Sequence, residues 1–265
     1  MEGASLYQVE KLAIKKWKIF KRSKFRFFMR AVVASMFIGF GVIVAFKTGN
    51  FFYAEGSPFA YPAAAIVFGA AIILIAYGGG DLFTGNTFYY TYAALRKKIE
   101  WLDVFKVWGT SYAGNICGAV FFAVFIYLTG LFKSHEVNEF LLHAAQTKIE
   151  APISELFFRG ILCNWLVCLA FFIPMSLKED IAKIFAMILF VFCFFISGYE
   201  HSVANMATFS ISLILDQNPA ITLPGIVRNI IPVTLGNLVG GVGFMGVMYY
   251  YVNKPFMDDK EEEEK

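Results

Sequence analysis

The chain has 265 residues, 58% of them hydrophobic and 16% charged, and its mean hydropathy is +0.61. Soluble domains carry roughly 45–50% apolar and about 25% charged residues, so a soluble globular class is excluded. A formal net charge of +3 is too small to call for a nucleic-acid partner, and Cys117, Cys163, Cys168 and Cys193 lie in apolar runs without the spacing of a metal or redox pair.

In residues 1–26 the bases from Lys11 to Arg26 interleave with Leu6, Val9, Leu12 and Ile14, and Trp17 and Phe20 follow. This predicts an amphipathic N-terminal helix lying along the cytoplasmic membrane surface. No small-residue cleavage site follows it, so it is not read as a signal peptide. A membrane-crossing helix needs about 20 apolar residues. The gaps between charges predict six such units, at 31–46 (extended by 27–29 around Arg30), 56–80, 107–132, 160–177, 184–199 and 229–253. Together they form a channel domain over 27–253. Residues 254–265 form an acidic, disordered cytoplasmic tail.

The second and fifth units are irregular. Apolar character resumes over 82–95 after Asp81 and over 202–215 after Glu200. Each is too long for one straight span and too short for two. Each is interrupted by an acid beside small residues, Gly78-Gly79-Gly80-Asp81 and Ser197-Gly198-Tyr199-Glu200. Broken transmembrane helices read this way, and such backbone persists only where protein or a wet cavity satisfies it. Lys and Arg in the loops fix the orientation. Arg96, Lys97, Lys98, Lys106, Lys178 and Lys183 are placed inside, and Lys47, Glu55, Glu136, Glu139, Glu150 and Glu155 outside. Both termini are then cytoplasmic in a multi-pass protein of the cell membrane.

The second half repeats the first. Arg30 pairs with Arg159, Asp81 with Glu200, and Asn115 with Asn237, at offsets of 129, 119 and 122. Asp81 stands five before Asn86, and Glu200 five before Asn205. The repeats cover about 27–132 and 155–253. Three crossings each make them inverted, which places a transport site near the midplane. Gly114, Gly118, Gly236, Gly240, Gly241 and Gly243 are read as close helix packing.

His201 follows Glu200 inside the fifth break. An ionisable group at membrane depth is functional by default. Neutral imidazole hydrogen-bonds an anion and the protonated ring binds it more strongly, so protonation and anion uptake are expected to be coupled. Asp81 and Glu200 are expected to accept backbone N–H groups freed by the breaks, with Thr84 and Asn86 capping the resumed half-helix. Lys148 precedes unit four in an acidic outer loop. Its alternatives are an anion-attracting vestibule charge and an ordinary solvated one. Asn218-Pro219-Ala220 matches the water-channel tripeptide, but it is single and lies in an outer loop, so it is read as a turn.

At these residues the chain resembles the formate–nitrite transporter family over nearly its whole membrane portion. Asp81-Leu82-Phe83-Thr84-Gly85-Asn86 looks like the family's second-helix motif, with Asp where Glu is usual. Gly198 to Met206 resembles its fifth-helix motif, and Phe158 with Gly160 to Val167 its fourth-helix segment. The resemblance implies an all-α homopentamer of aquaporin-like protomers in the lipid bilayer. It implies that Thr84, His201 and Asn164 surround a central site with Glu200 in support, and that Lys148 faces the outer vestibule. It implies apolar constrictions at Leu82, Phe194 and Phe68. Its substrates are small monovalent anions of weak acids. Among them the Thr-Gly-Asn stretch is most similar to the hydrosulfide and nitrite branches, and hydrosulfide is preferred, with nitrite and formate as further permeants.

A bare anion pays heavily to cross an apolar slit and its neutral acid does not. The anion is therefore expected to gain a proton or a strong hydrogen bond near Lys148 or His201 before passing. The rivals are a proton-coupled transporter, a neutral-solute aquaporin-like pore and a membrane-embedded enzyme using Glu200, His201 and Asp81. Lys148 and His201 oppose the neutral pore. The lone His, without a ligand set, opposes the enzyme. No catalytic residue, metal or cofactor is expected.

Overall fold

A serine decides where the first long helix begins. Ser23 is extended and its Oγ accepts the Arg26 N–H at 3.2 Å, capping helix α2, Lys24–Tyr53. Helix α1, Glu2–Arg22, ends just before it, four residues short of the expected boundary at 26. The computed structural model describes residues 2–254, and these are all helix, turn and loop. The expected tail falls outside the described residues apart from Lys254, which ends the last helix.

The remaining helices are α3 (Ala60–Phe68), α4 (Ala70–Gly78), α5 (Phe83–Leu95), α6 (Trp101–Leu128), α7 (Glu139–Glu150), α8 (Ile153–Phe172), α9 (Asp180–Ile196), α10 (Ser202–Leu215) and α11 (Leu223–Leu238). A π-helical stretch, Val239–Val247, continues α11 towards Lys254. Five helical segments are long and apolar enough to cross a membrane: Lys24–Tyr53, Ala60–Gly78, Trp101–Leu128, Ile153–Ser176 and Leu223–Lys254. Helix α9 has 17 residues, somewhat under the length of a span, and α10 continues it after a break.

Both breaks fall where the acids predict, and they share one construction. Gly79 (φ 80°) and Gly198 (φ 70°) take the left-handed conformation that ends a helix without a Cβ penalty. Gly80 N–H and Tyr199 N–H return to the carbonyls of Ile75 and Phe194. The acid's own N–H then reaches across, from Asp81 to the Arg30 carbonyl and from Glu200 to that of Arg159. Leu82 and His201 follow in extended conformation, and α5 and α10 start after them.

The long helices pack in two close pairs, α2 on α6 and α8 on α11. Glycines set the spacing. Gly114 and Gly118 lie against the carbonyls of Phe28 and Val32, and Gly236 and Gly240 against those of Phe157 and Ile161. Gly241 sits under Thr87 and Asn164, but Gly243 faces open space and does no such packing. Helix α1 corrects an expectation. Its stripe of Leu6, Val9, Ala13 and Phe20 is buried against α2, α5 and the turn Ile173–Ser176, so protein covers the face that the sequence assigns to lipid. The Asn218 tripeptide is the turn expected, with Asn218 Oδ1 accepting the Ala220 N–H at 3.0 Å.

A Cβ at Gly236 would meet the Phe157 carbonyl and the Gly160 Cα, backbone atoms that cannot swing aside. Gly236→Ala is expected to cost about 1–3 kcal/mol and lower the melting temperature of the purified protein by several degrees. Gly243→Ala, whose added Cβ has its nearest neighbour at 4.0 Å, is expected to match wild type or exceed it slightly in the same thermal scan.

Candidate functional site

The site is assembled on the two breaks. Each newly started half-helix needs acceptors for its first N–H groups. Asn115 Oδ1 accepts the Phe83 N–H at 2.9 Å, and Asn237 Oδ1 accepts the Ser202 N–H at 2.8 Å. The same amides donate backwards, Asn115 Nδ2 to the Ala31 and Asp81 carbonyls and Asn237 Nδ2 to those of Gly160 and Glu200. Both asparagines are fully buried. They, and not Thr84 and Asn86, tie down the broken backbone. Thr84 instead bonds the His201 ring, and Asn86 Oδ1 faces Lys16 Nζ at 3.5 Å.

The acids also find partners other than free backbone amides. The Asp81 carboxylate, with no exposure, lies between Lys16 of α1 (2.8 Å) and Arg30 of α2. Glu200 takes Lys148 Nζ on Oε1 at 2.8 Å and Asn205 Nδ2 on Oε2. Lys148 belongs to α7 and not to a loop, and its side chain is 21% exposed. One of its three N–H donors goes to Glu200, and the described residues supply no acceptor for the other two.

His201 caps its own helix. Its Nδ1 accepts the Ala204 N–H at 3.0 Å, and its Nε2 stands 3.0 Å from Thr84 Oγ1. A backbone N–H only donates, so Nδ1 keeps its lone pair and the neutral ring carries its proton on Nε2, pointing at Thr84. A second proton on Nδ1 would break the cap. In its neutral form His201 thus presents a donor towards Thr84. The starts of α5 and α10 meet across this bond, bringing two positive helix ends together.

Three cavities lie in line through these residues. The first, about 650 Å³, is lined by Lys15, Lys16, Arg30 and Lys183 with Asp180, and ends at Ile75 and Leu82. The second, about 20 Å³, roughly the space of one water, has walls of Ile38, Ile72, Val167 and Val191 and a single polar residue, His201. The third, about 120 Å³, holds Lys148, Arg159, Glu200 and Asn205. Leu82 borders the first and second, while Phe68, Phe194 and His201 border the second and third. Phe194 stacks on His201 at 6.1 Å and meets Phe68 edge-on at 6.0 Å. Thr84 and Asn164 stand behind His201, outside the cavity walls. Asn164 Nδ2 donates to Asn237 O at 2.6 Å, Thr87 Oγ1 at 3.1 Å and Thr84 O at 3.3 Å. The sequence reading missed the site roles of Lys16, Arg30, Asn115 and Asn237. Lys16 alone leaves a trace, because it occupies the buried stripe between Ala13 and Phe20.

A narrow apolar neck joining two basic mouths inside a bundle of span-length apolar helices defines a membrane channel or transporter for small solutes. The sequence profile described as "Formate/nitrite transporter" matches residues 5–251, and the chain belongs to that family, one of channels and transporters. It is 62% identical over 253 residues to the "Uncharacterized transporter YwcJ" of Bacillus subtilis (strain 168), covering 96% of this chain and 99% of that one. It is 36% identical over 237 residues to the "Nitrite transporter NirC" of Escherichia coli (strain K12), covering 88% and 87%. Two solved structures share its fold. An "FNT family ion channel" has TM-score 0.87 and 32% identity over 94% of this chain and 98% of that one. A "Pentameric formate channel with formate bound" has TM-score 0.77 and 27% identity over 88% and 98%.

His201→Ala removes the α10 cap, and His201→Asn restores an acceptor of the preferred capping type. The alanine variant is expected to lose about 0.5–2 kcal/mol of stability and the asparagine variant less than half of that, read as melting temperatures of the two purified proteins against wild type.

Proposed function

We propose that the chain is a channel for small monovalent anions of weak acids. Hydrosulfide is its preferred substrate, and nitrite and formate also pass. The dry neck of about 20 Å³ between two basic mouths carries this reading. A bare anion is excluded from such a neck by its hydration energy, whereas its conjugate acid is not. Hydrogen sulfide, with one heavy atom, suits so small a space best. Lys148 draws the anion into the outer cavity, where its two unpaired donors receive it. The anion takes a proton there from water, whose hydroxide stays in the outer solution, and crosses between Phe194 and Leu82 as the neutral acid. His201 forms part of the neck wall, Thr84 and Asn164 brace it from behind, and Glu200 holds Lys148 in place.

The architecture proposed with this function is six crossings in two inverted three-helix repeats, 27–132 and 155–253, with both termini cytoplasmic. The matched construction of the two breaks supports the repeat. The pentameric formate channel of the same fold supports a homopentamer with a pore in each protomer. A proton-coupled transporter is the second reading, favoured by the same neck, because a proton that must accompany each anion makes the flux proton-linked.

Two experiments test this. Leu82→Ala and Phe194→Ala are expected to pass acetate and lactate faster than wild type does, while flux of hydrosulfide, nitrite and formate into liposomes is kept. Unchanged selectivity in both, with normal assembly, removes these residues as the filter. His201→Asn is expected to keep substantial flux, with a normalised pH profile between about 5 and 8 that superimposes on wild type, because the proposed protonation step lies in the outer cavity and not at the ring. A flattened profile would return the protonation step to His201.

A further inference from the structure

The wall of the outer cavity contains a closed ring of hydrogen bonds that runs through α11. Lys148 Nζ donates to Glu200 Oε1 at 2.8 Å. Asn205 Nδ2 donates to Glu200 Oε2 and, at 2.9 Å, to Asn229 Oδ1. Asn229 Nδ2 closes the ring by donating at 2.8 Å to the backbone carbonyl of Lys148 itself. Asn229 is fully buried, and both ends of its amide are used. Its neighbour Arg228 donates Nη1 to the carbonyls of Ile149 (2.6 Å) and Ala151 (2.9 Å). The last carbonyls of a helix have no partners of their own. Two of those of α7, on Lys148 and Ile149, are taken by two consecutive side chains of another helix, at the turn that carries Lys148.

We propose that Asn229 is a positioning residue for Lys148. It fixes the backbone from which the lysine hangs and orients the Glu200–Asn205 pair on which its ammonium rests. A lysine side chain is a flexible four-carbon stem ending in a point charge, so its placement must come from its two ends. Asn229 touches both, one directly and one through Asn205. The inference rests on the reading of Lys148 as the outer anion-capturing group. Without Asn229 the ammonium keeps its charge and loses its fixed position, so anion capture weakens while the neck is untouched.

The test is a double-mutant cycle on full-length protein in liposomes, with nitrite as the probe. Initial flux is measured against nitrite concentration at low and high salt for wild type, Asn229→Leu, Lys148→Met and the double variant. Asn229→Leu is expected to raise the half-saturating concentration about tenfold, the equivalent of one buried hydrogen bond lost, with maximal flux unchanged. Its salt dependence should fall between those of wild type and Lys148→Met, because the charge is kept but no longer fixed. The double variant should be no worse than Lys148→Met alone. If the leucine variant does not assemble, Asn229→Ser, which leaves room for a water at the freed groups, takes its place in the cycle. An unchanged half-saturation in the Asn229 variant overturns the inference, and so does an equal fold-change in the Lys148→Met background. If Lys148→Met itself leaves nitrite half-saturation unchanged, the reading of Lys148 falls and the inference with it. If only the Asn229 variants match wild type, the reading of Lys148 stands and the inference alone is lost.

Discussion

A helix interrupted in apolar surroundings exposes amide and carbonyl groups that cannot reach water, and each one left alone costs several kcal/mol. Two asparagines answer that constraint, each with a carbonyl for the first N–H of the new half-helix and an amide for carbonyls on both sides of the gap. Everything else at the site follows from the gap being held open. Extended backbone at Leu82 and His201 turns those side chains to the cavity walls. The starts of α5 and α10 come close enough for Thr84 to meet the imidazole. The glycines of the long pairs keep the helices bearing the asparagines tight against the helices whose carbonyls they bond.

The two ends of the path share this scaffold but differ in charge. At one end a buried acid, Asp81, is shared by two bases. At the other Glu200 has one base and one amide. A buried carboxylate left without partners would be strongly destabilising, so each lysine is held by the acid as firmly as it holds it. Lys148 leaves donors unused by the protein. Lys16 arrives from a separate element, α1, and is nearly enclosed, with a side chain 11% exposed. The chemistry at the two mouths is alike in kind and unlike in how each cation is delivered.

Local features were legible in the sequence. Acids beside glycines marked both breaks to the residue, and the apolar runs located the long helices within a few positions. Leu82, Phe68 and Phe194 came from resemblance, and their grouping around one small cavity follows from packing that no local pattern carries. Features that depend on distant pairs were not legible. Asn115 and Asn237 showed as partners in the internal repeat but not as caps, because the amides they serve lie 32 and 35 residues away. The stripe of α1 was correctly amphipathic, but whether lipid or protein covers an apolar face is settled by what folds over it. His201 was singled out for its ability to titrate. Its cap, a contact with Ala204 three residues on, was not part of that reading.

The docking of α1 bears on the order in which the molecule is built. Within this chain the helix is made well before the residues whose surfaces cover it. Phe88 to Tyr92 and the turn Ile173–Ser176 receive its stripe, and Asp81 receives its lysine. Until those residues are made, the apolar stripe of α1 lacks its protein cover, so its complete docking cannot precede the turn Ile173–Ser176. A nascent chain stopped before residue 173 lacks part of the seat for its own first helix.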